Sequence, residues 1–227
     1  FQAGQYLTLA VEIDGKQQRR SYSICSSASN GLSIGVKAIA NGQVSNYLQQ
    51  LKEGSVLTVF EPEGNFIWKP SYQKAVAIAA GSGITPIMSM LHTAGSQTAF
   101  QLFYGNKSPE DALFLTEINL LSNTETHLFF SQKEVSGAQF GRIDEAALKA
   151  KIKSDLSLLQ ADAIFLCGPQ EMVENAEKTL AFFGVSPQKI HKELFFVSEK
   201  QKDTPSEPNF NGKSKVKVMI DGEIATF

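Results

Sequence analysis

The alternation of apolar and polar positions changes character near residue 72. Up to Pro70, the runs QYLTLAVEI, RSYSICSS, LSIGVKAIA and SVLTVFEP are separated by DGK, SNG and the pairs Glu53-Gly54 and Glu63-Gly64. Short β-branched and aromatic runs at such spacing predict an all-β antiparallel barrel or sandwich. One helix is expected over 44–51, where Val44, Leu48 and Leu51 share a face. After Tyr72 the run KAVAIAAG is almost continuously apolar, as a strand buried on both faces of a parallel sheet must be. ITPIMSMLHTA then predicts a helix, FQLFYGN a strand, PEDALFLTEINLL a helix and THLFFSQ a strand. DEAALKAKI, ADAIFLCGP, QEMVENAEKTLAFFGV and KIHKELFF continue the alternation, which is the pattern of an α/β domain around a parallel sheet. Residues 198–213 are poor in apolar side chains and read as a linker. SKVKVMIDGEIATF predicts two strands around a type I′-compatible Asp221-Gly222 turn.

The expected organisation is therefore a partial β-barrel over 1–71, an α/β domain over 72–197, a linker over 198–213 and the start of a third domain over 214–227. FQAGQYLTLAVEI enters a strand at once through Gly4, so the barrel is expected to be truncated at its N-terminus.

Composition narrows the function classes. Hydrophobic residues make up 42% and charged residues 19%, enough apolar side chains for real cores. The 21 Lys and Arg against 23 Asp and Glu give a net charge of −2, which argues against nucleic acid as a partner. No apolar run reaches the ~18 residues of a membrane helix and no charged-then-apolar leader is present, so a cytoplasmic protein away from the membrane is expected. The two cysteines, Cys25 and Cys167, form neither a disulfide framework nor a metal quartet, and the three histidines show no ligand spacing, so no metal site is expected.

Four stretches carry candidate chemistry. RSYSICSS packs a guanidinium, an aromatic ring, hydroxyls and a thiol into one extended run. GSGITP, Gly81 to Pro86, follows the buried strand and opens a helix; glycines admit a phosphate close to the backbone, and a helix N-terminus offers free N–H groups. It departs from G-x-G-x-x-G because Pro86 stands at the third glycine. CGPQEM, Cys167 to Met172, is a second turn of this kind, at the edge of the sheet where α/β proteins bind ligands. NGQVSNYL, Asn41 to Leu48, places Gly42 and Ser45 at a helix start in the β half, where Arg20 could join them in holding an anion. An anion site in each half, with a tyrosine beside one, is what two dinucleotides meeting between two domains would require.

RSYS, NGQVS, GSGITP, CGP and KELF occur here in the order seen in the ferredoxin–NADP reductase superfamily. The chain resembles, from Phe1 to about Val197, the reductase components of that superfamily that carry a C-terminal plant-type ferredoxin domain. The resemblance implies an FAD site in the barrel. Arg20, with Ser21, would meet the flavin pyrophosphate, and Gly42, Gln43, Val44 and Ser45 would add donors. Tyr22 would lie against the isoalloxazine, Ser23 would hydrogen-bond near its N5, and Val36 and Lys37 would flank its ribityl and phosphate portion. It also implies a nicotinamide dinucleotide site. Gly81, Ser82, Gly83 and Thr85 would take the pyrophosphate, with Thr85 also near the flavin. Cys167, with Gly168 and Pro169, would sit beside the nicotinamide, and Glu193 and Phe195 near the flavin. Ser23, Cys167 and Glu193 are the catalytic candidates of a flavoprotein reductase that moves a hydride from NAD(P)H to FAD.

The donor turns on cations around a 2′-phosphate. The family often has Ser-Arg after the third strand of this sheet; here Ser131-Gln132-Lys133 lacks the arginine, and Lys107 follows the second strand. A lysine binds phosphate as a point charge without the bidentate fork, and the reading leans to NADPH with NADH open. FMN is the alternative to FAD. KVKVMIDGEIATF resembles the first hairpin of a plant-type ferredoxin, but no C-x₄-C-x₂-C run follows. The two-iron two-sulfur cluster that would pass single electrons to a redox acceptor, an oxygenase component, is thus expected in a domain this chain lacks. The rival reading is a non-catalytic nucleotide-binding module that regulates or scaffolds an electron-transfer complex.

Overall fold

The computed structural model describes residues 1–96 and 98–195, with the backbone of 216–220 and 223–226. It divides into two compact units. The first comprises Phe1–Trp68, Met88–Thr93 and the two C-terminal strands; the second comprises Lys69–Ile87 and Ala94–Phe196.

In the first unit β1 (Tyr6–Ile13) and β2 (Lys16–Ser23) form an antiparallel hairpin in full register, Tyr6 opposite Ser23 and Ile13 opposite Lys16. Its two-residue turn, Asp14 and Gly15, has φ of 53° and 70°, the positive pair that lets a tight turn follow the twist of the strands. Next come β3 (Leu32–Val36), α1 (Gln43–Gln49) and β4 (Thr58–Val59), which pairs antiparallel with β1. An antiparallel bridge from Ile24 to Ile34 links the end of β2 to β3. Period-2 alternation turns Leu7, Leu9 and Val11 into a core with Ile24, Ile34, Val36, Val44 and Leu48. Each such side chain, fully buried, contributes about 1.5–3 kcal/mol of transfer free energy. SVLTVFEP yields only two strand residues. Val56 is 94% exposed, so its half of the run has no face to cover.

The second unit runs β5 (Lys74–Ala80), α2 (Ile84–Ala94, whose later turns belong to the first unit), β6 (Ala99–Asn106), α3 (Leu115–Ile118), β7 (Thr124–Phe130), β8 (Gln139–Phe140), α4 (Glu145–Ser154), β9 (Ala163–Gly168), α5 (Gln170–Phe182) and β10 (Ile190–Leu194). The six strands lie in the order β10-β9-β5-β6-β7-β8, every neighbouring pair parallel. The apolar run of β5 is central, with Ala75 to Ala79 wholly buried. From β5 the chain steps outward to β6, β7 and β8, then returns to the other flank as β9 and β10. The order therefore reverses at β5, and ligands bind at the carboxyl ends of strands at such a point.

One expectation needs correction, and one strand was not expected. The helix over PEDALFLTEINLL is broken into a 3₁₀ turn at Pro109–Asp111 and the four-residue α3, with Phe114 between them at φ 59°. The Tyr104 hydroxyl reaches the Leu113 carbonyl, which draws that group out of a helical ladder. Strand β8 has no counterpart in the sequence pattern, because Gln139 and Phe140 are both exposed and only backbone pairing defines them.

At the C-terminus β11 (Val216–Ile220) and β12 (Glu223–Thr226) form the expected antiparallel hairpin, and β11 also runs parallel to β3. The Asp221-Gly222 turn and the expected linker lie outside the described residues. Among the described residues no helix is long and apolar enough to cross a membrane.

Candidate dinucleotide sites

In the first unit the extended β2 alternates Arg20 and Tyr22 on one face with Ser21 and Ser23 on the other. Arg20 is exposed, donates to the Arg19 carbonyl at 2.6 Å, and meets no carboxylate among the described residues. Arg19 is occupied differently, 4.9 Å above the Phe60 ring. Burial pushes the Tyr22 phenol up to about 12, against the opposing pull of the Arg20 charge. The ring, neutral at physiological pH like any phenol, stays so well into base, with the Arg20 cation beside it. Ser21 shares a hydrogen bond with Thr8 across the hairpin at 3.0 Å, and Ser23 is buried. Val36 is buried at the end of β3 and Lys37 follows it, half-buried.

Helix α1 starts at Gly42 with no side-chain cap on its N–H groups. Ser45 is buried, donating to the Gly42 carbonyl at 3.2 Å and accepting from the Ile39 N–H at 3.4 Å. Its hydroxyl thus fixes the turn, and the backbone of Gln43 and Val44 is left to meet an anion. A Cβ on Gly42 would fall 2.4 Å from that hydroxyl, which is why this position has none.

In the second unit the loop at the switch point is a 3₁₀ turn, Gly81–Gly83, that leads into α2 without a side-chain cap. Gly81 has φ 55°. A Cβ on Gly83 would lie 2.2 Å from the Cys167 carbonyl oxygen, so the β5 loop is seated on the end of β9. Thr85 is buried and donates to the Ser82 carbonyl at 2.9 Å, closing the turn from within. From below, the buried Tyr104 hydroxyl lies 3.3 Å from the Gly81 carbonyl, and burial raises its pKa. Gly168, at φ 157°, would carry a Cβ 2.8 Å from the Met172 methyl, and Pro169 stands at the N-cap of α5.

Cys167 is fully buried, and burial, then the nearby Glu193 carboxyl, raise its thiol well above the ordinary value. It is a neutral thiol. Glu193 pairs with Cys167 across β10 and β9. One of its carboxyl oxygens is shielded from solvent and has no hydrogen-bond partner among the described residues, and burial raises its pKa to about 7. The Phe195 N–H reaches the Gly168 carbonyl at 3.4 Å, so the end of β10 closes on the same turn. The sheet thus gathers Gly81–Thr85, Cys167–Pro169, Glu193 and Phe195 at one edge. A hollow of about 600 Å³ lined by Lys74, Thr98, Gln101, Glu125 and Asp155 lies at the amino ends, the edge opposite to the one such sheets use.

The three remaining candidates lie farther along the carboxyl edge. Ser131 donates its N–H to the Asn106 carbonyl at 3.0 Å, and Gln132 to that of Lys107 at 2.9 Å, so the loops after β6 and β7 run together. Lys107 is exposed, and Lys133 is ion-paired with Glu110. Sequence reasoning missed two residues. Tyr104 was signalled only by a hydroxyl within the apolar strand FQLFYGN. Glu110 lies 23 positions from its partner, beyond any local pattern.

Residues 1–68 match the oxidoreductase FAD-binding domain and residues 77–178 the oxidoreductase NAD-binding domain. The chain is 33% identical to one of the subunits of the 1,2-phenylacetyl-CoA epoxidase of Escherichia coli (strain K12), an alignment covering 100% of this chain and 65% of that protein. It is 31% identical to the glycine betaine monooxygenase reductase subunit of Chromohalobacter salexigens, covering 86% of this chain and 56% of that one. The chain thus spans between half and two thirds of the length of these relatives. A ferredoxin NADP+ reductase from Neisseria gonorrhoeae, solved with bound FAD and NADP, superposes with a TM-score of 0.74 at 21% identity, over 86% of this chain and 87% of that one. With an FAD-binding and an NAD-binding oxidoreductase domain in this order, the chain belongs to the ferredoxin–NADP reductase family.

Proposed function

We propose that this chain takes a hydride from NAD(P)H onto FAD and passes the electrons on, singly, to an oxygenase component. The observation that carries the reading is the Gly81–Gly83 loop seated on the Cys167 carbonyl at the switch point, in the same chain as an Arg20 that meets no carboxylate among the described residues and stands beside the Tyr22 ring. Bound FAD would supply a two-electron acceptor that can release electrons one at a time, and bound NAD(P)H the hydride.

Each candidate has a task its surroundings allow. Arg20 offers a planar fork of donors to a pyrophosphate, and the uncapped start of α1 adds backbone N–H groups. Tyr22 presents a flat neutral ring, and Ser23 a hydroxyl for the flavin N5 edge. The Gly81–Thr85 loop takes the second pyrophosphate on its backbone, since Thr85 is committed to Ser82. Cys167 fills the floor of that site as a neutral thiol. Glu193, titrating near neutrality, holds or releases a proton beside it. The match to an FAD-binding domain supports FAD over FMN.

Relatives named as part of an epoxidase and as the reductase of a monooxygenase support an oxygenase component as the acceptor. Two cysteines cannot supply four thiolates, so these 227 residues would not themselves hold a two-iron two-sulfur cluster for the single-electron step. A cytoplasmic setting suits such a chain.

The test is an anaerobic visible spectrum of the FAD-reconstituted protein before and after NADH or NADPH. Bleaching of the flavin band is expected. A retained flavin that neither donor bleaches would refute hydride transfer, and a chain that takes up no FAD would favour the non-catalytic module.

A further inference from the structure

The sequence offers Lys107 and Lys133 as cations for a 2′-phosphate, yet the fold commits one of them elsewhere. Lys133 leaves the end of β7 and pairs with Glu110, on the 3₁₀ turn after β6. The two loops are fixed against each other by the main-chain bonds from Ser131 to Asn106 and from Gln132 to Lys107. The hydrogen bond from Lys133, above all, holds the Glu110 carboxyl down to about 2. Glu110 is therefore a carboxylate at every working pH.

These loops lie at the carboxyl ends of the strands just beyond β5. A dinucleotide whose pyrophosphate rests on the β5 loop places its adenosine ribose toward this neighbouring edge, where an acidic residue bonds a free 2′-hydroxyl and cations receive a 2′-phosphate. Around Glu110 the segments 107–111 and 131–134 carry two cations, Lys107 and Lys133, against three carboxylates, Glu110, Asp111 and Glu134. Arg142 follows β8, whose register and the Gly141 N–H on the Phe130 carbonyl bring it beside Ser131, as a third cation at this edge. A phosphate dianion arriving here meets three carboxylates and a lysine already paired. A hydroxyl meets a ready acceptor.

We propose that Glu110 is the donor-specificity residue: it accepts from the adenosine ribose 2′-hydroxyl and keeps Lys133 from serving a 2′-phosphate, so that the preferred donor is NADH. This reverses the leaning drawn from the lysines alone, and it rests on the reading of the second unit as a dinucleotide site.

Two measurements test it on the FAD-reconstituted chain. Steady-state reduction of ferricyanide gives kcat and KM for NADH and NADPH, and calorimetric titration with ADP-ribose and its 2′-phosphate reads the adenosine end without the chemistry. The wild type is expected to favour NADH and ADP-ribose at least about 10-fold. Glu110→Gln should narrow that ratio about 10-fold, through KM more than kcat. Adding Lys133→Gln should then remove the gain for the 2′-phosphate. The inference is overturned if the wild type favours the phosphorylated ligand, or if Glu110→Gln moves both ligands equally. Failure of ADP-ribose and its 2′-phosphate alike to bind would remove the dinucleotide site itself, and the inference with it. Glu110 is exposed, so its replacement leaves the fold intact.

Discussion

At the scale of single residues, burial shifts the titration of two of the candidate groups. Glu193 is the clearest. Burial keeps its proton on up to about 7 in the folded chain, against an unfolded value near ~4.3. Between those two values the folded state binds more protons than the unfolded one, so stability falls as pH rises through that window and is level above it. The loss amounts to about 3.5 kcal/mol at most. Thermal melting from pH 4.5 to 8 should therefore show a downward slope in the wild type that Glu193→Gln removes, and identical slopes in the two proteins would mean that the carboxyl is solvated. Tyr22 leads to a contrasting expectation. Its phenol is pushed up to about 12, so it works as a ring, and Tyr22→Phe should retain FAD within about 2-fold where Tyr22→Ala loses it. Flavin titration by fluorescence separates the two. The ring was legible in the sequence; its partial burial was not, because that depends on what covers it.

Elements decide where those residues meet. The parallel strand in KAVAIAAG and the glycine turn after it were legible, since a strand buried on both faces has no polar position to hide and a turn before a helix must start with small residues. That β9 is the neighbour supporting this turn was not legible, because the chain crosses three other strands before returning. Gly83 records that crossing: an added methyl would press into the Cys167 carbonyl, which is backbone and cannot swing away. Gly83→Ala should cost about 1–3 kcal/mol of overpacking, taken up by displacement of the loop. Bleaching of the flavin by NAD(P)H should drop by at least about 100-fold while FAD stays bound. Stopped-flow reduction at unchanged flavin content checks this, and a wild-type rate would show that the β5 loop does not carry the dinucleotide. The broken helix after β6 makes the complementary point. PEDALFLTEINLL has helical spacing, but Tyr104 takes the Leu113 carbonyl and Phe114 turns left-handed, and no window of local sequence contains that competition.

At the scale of the whole molecule, the division into two units makes the two cofactor affinities separable. Arg20 lies in the first unit and Gly83 in the second, and each contributes through its own unit's backbone and side chains. A charge-assisted hydrogen-bonded contact of the Arg20 kind contributes about 1.5–3 kcal/mol, so Arg20→Ala should weaken FAD by about 10–100-fold. Because no carboxylate screens the guanidinium among the described residues, the wild-type FAD affinity should also fall with added salt more steeply than that of the variant. Sites that share no partners are additive to within a few tenths of a kcal/mol. Arg20→Ala should therefore leave ADP-ribose affinity unaltered, and Gly83→Ala should leave FAD affinity unaltered. The double variant should lose both by the same factors as the singles. Calorimetric titration of each ligand into the four proteins gives the cycle directly. A coupling of about 1 kcal/mol or more, well above that additivity margin, would mean that the units do not bind independently, and that flavin occupancy itself shapes the dinucleotide site.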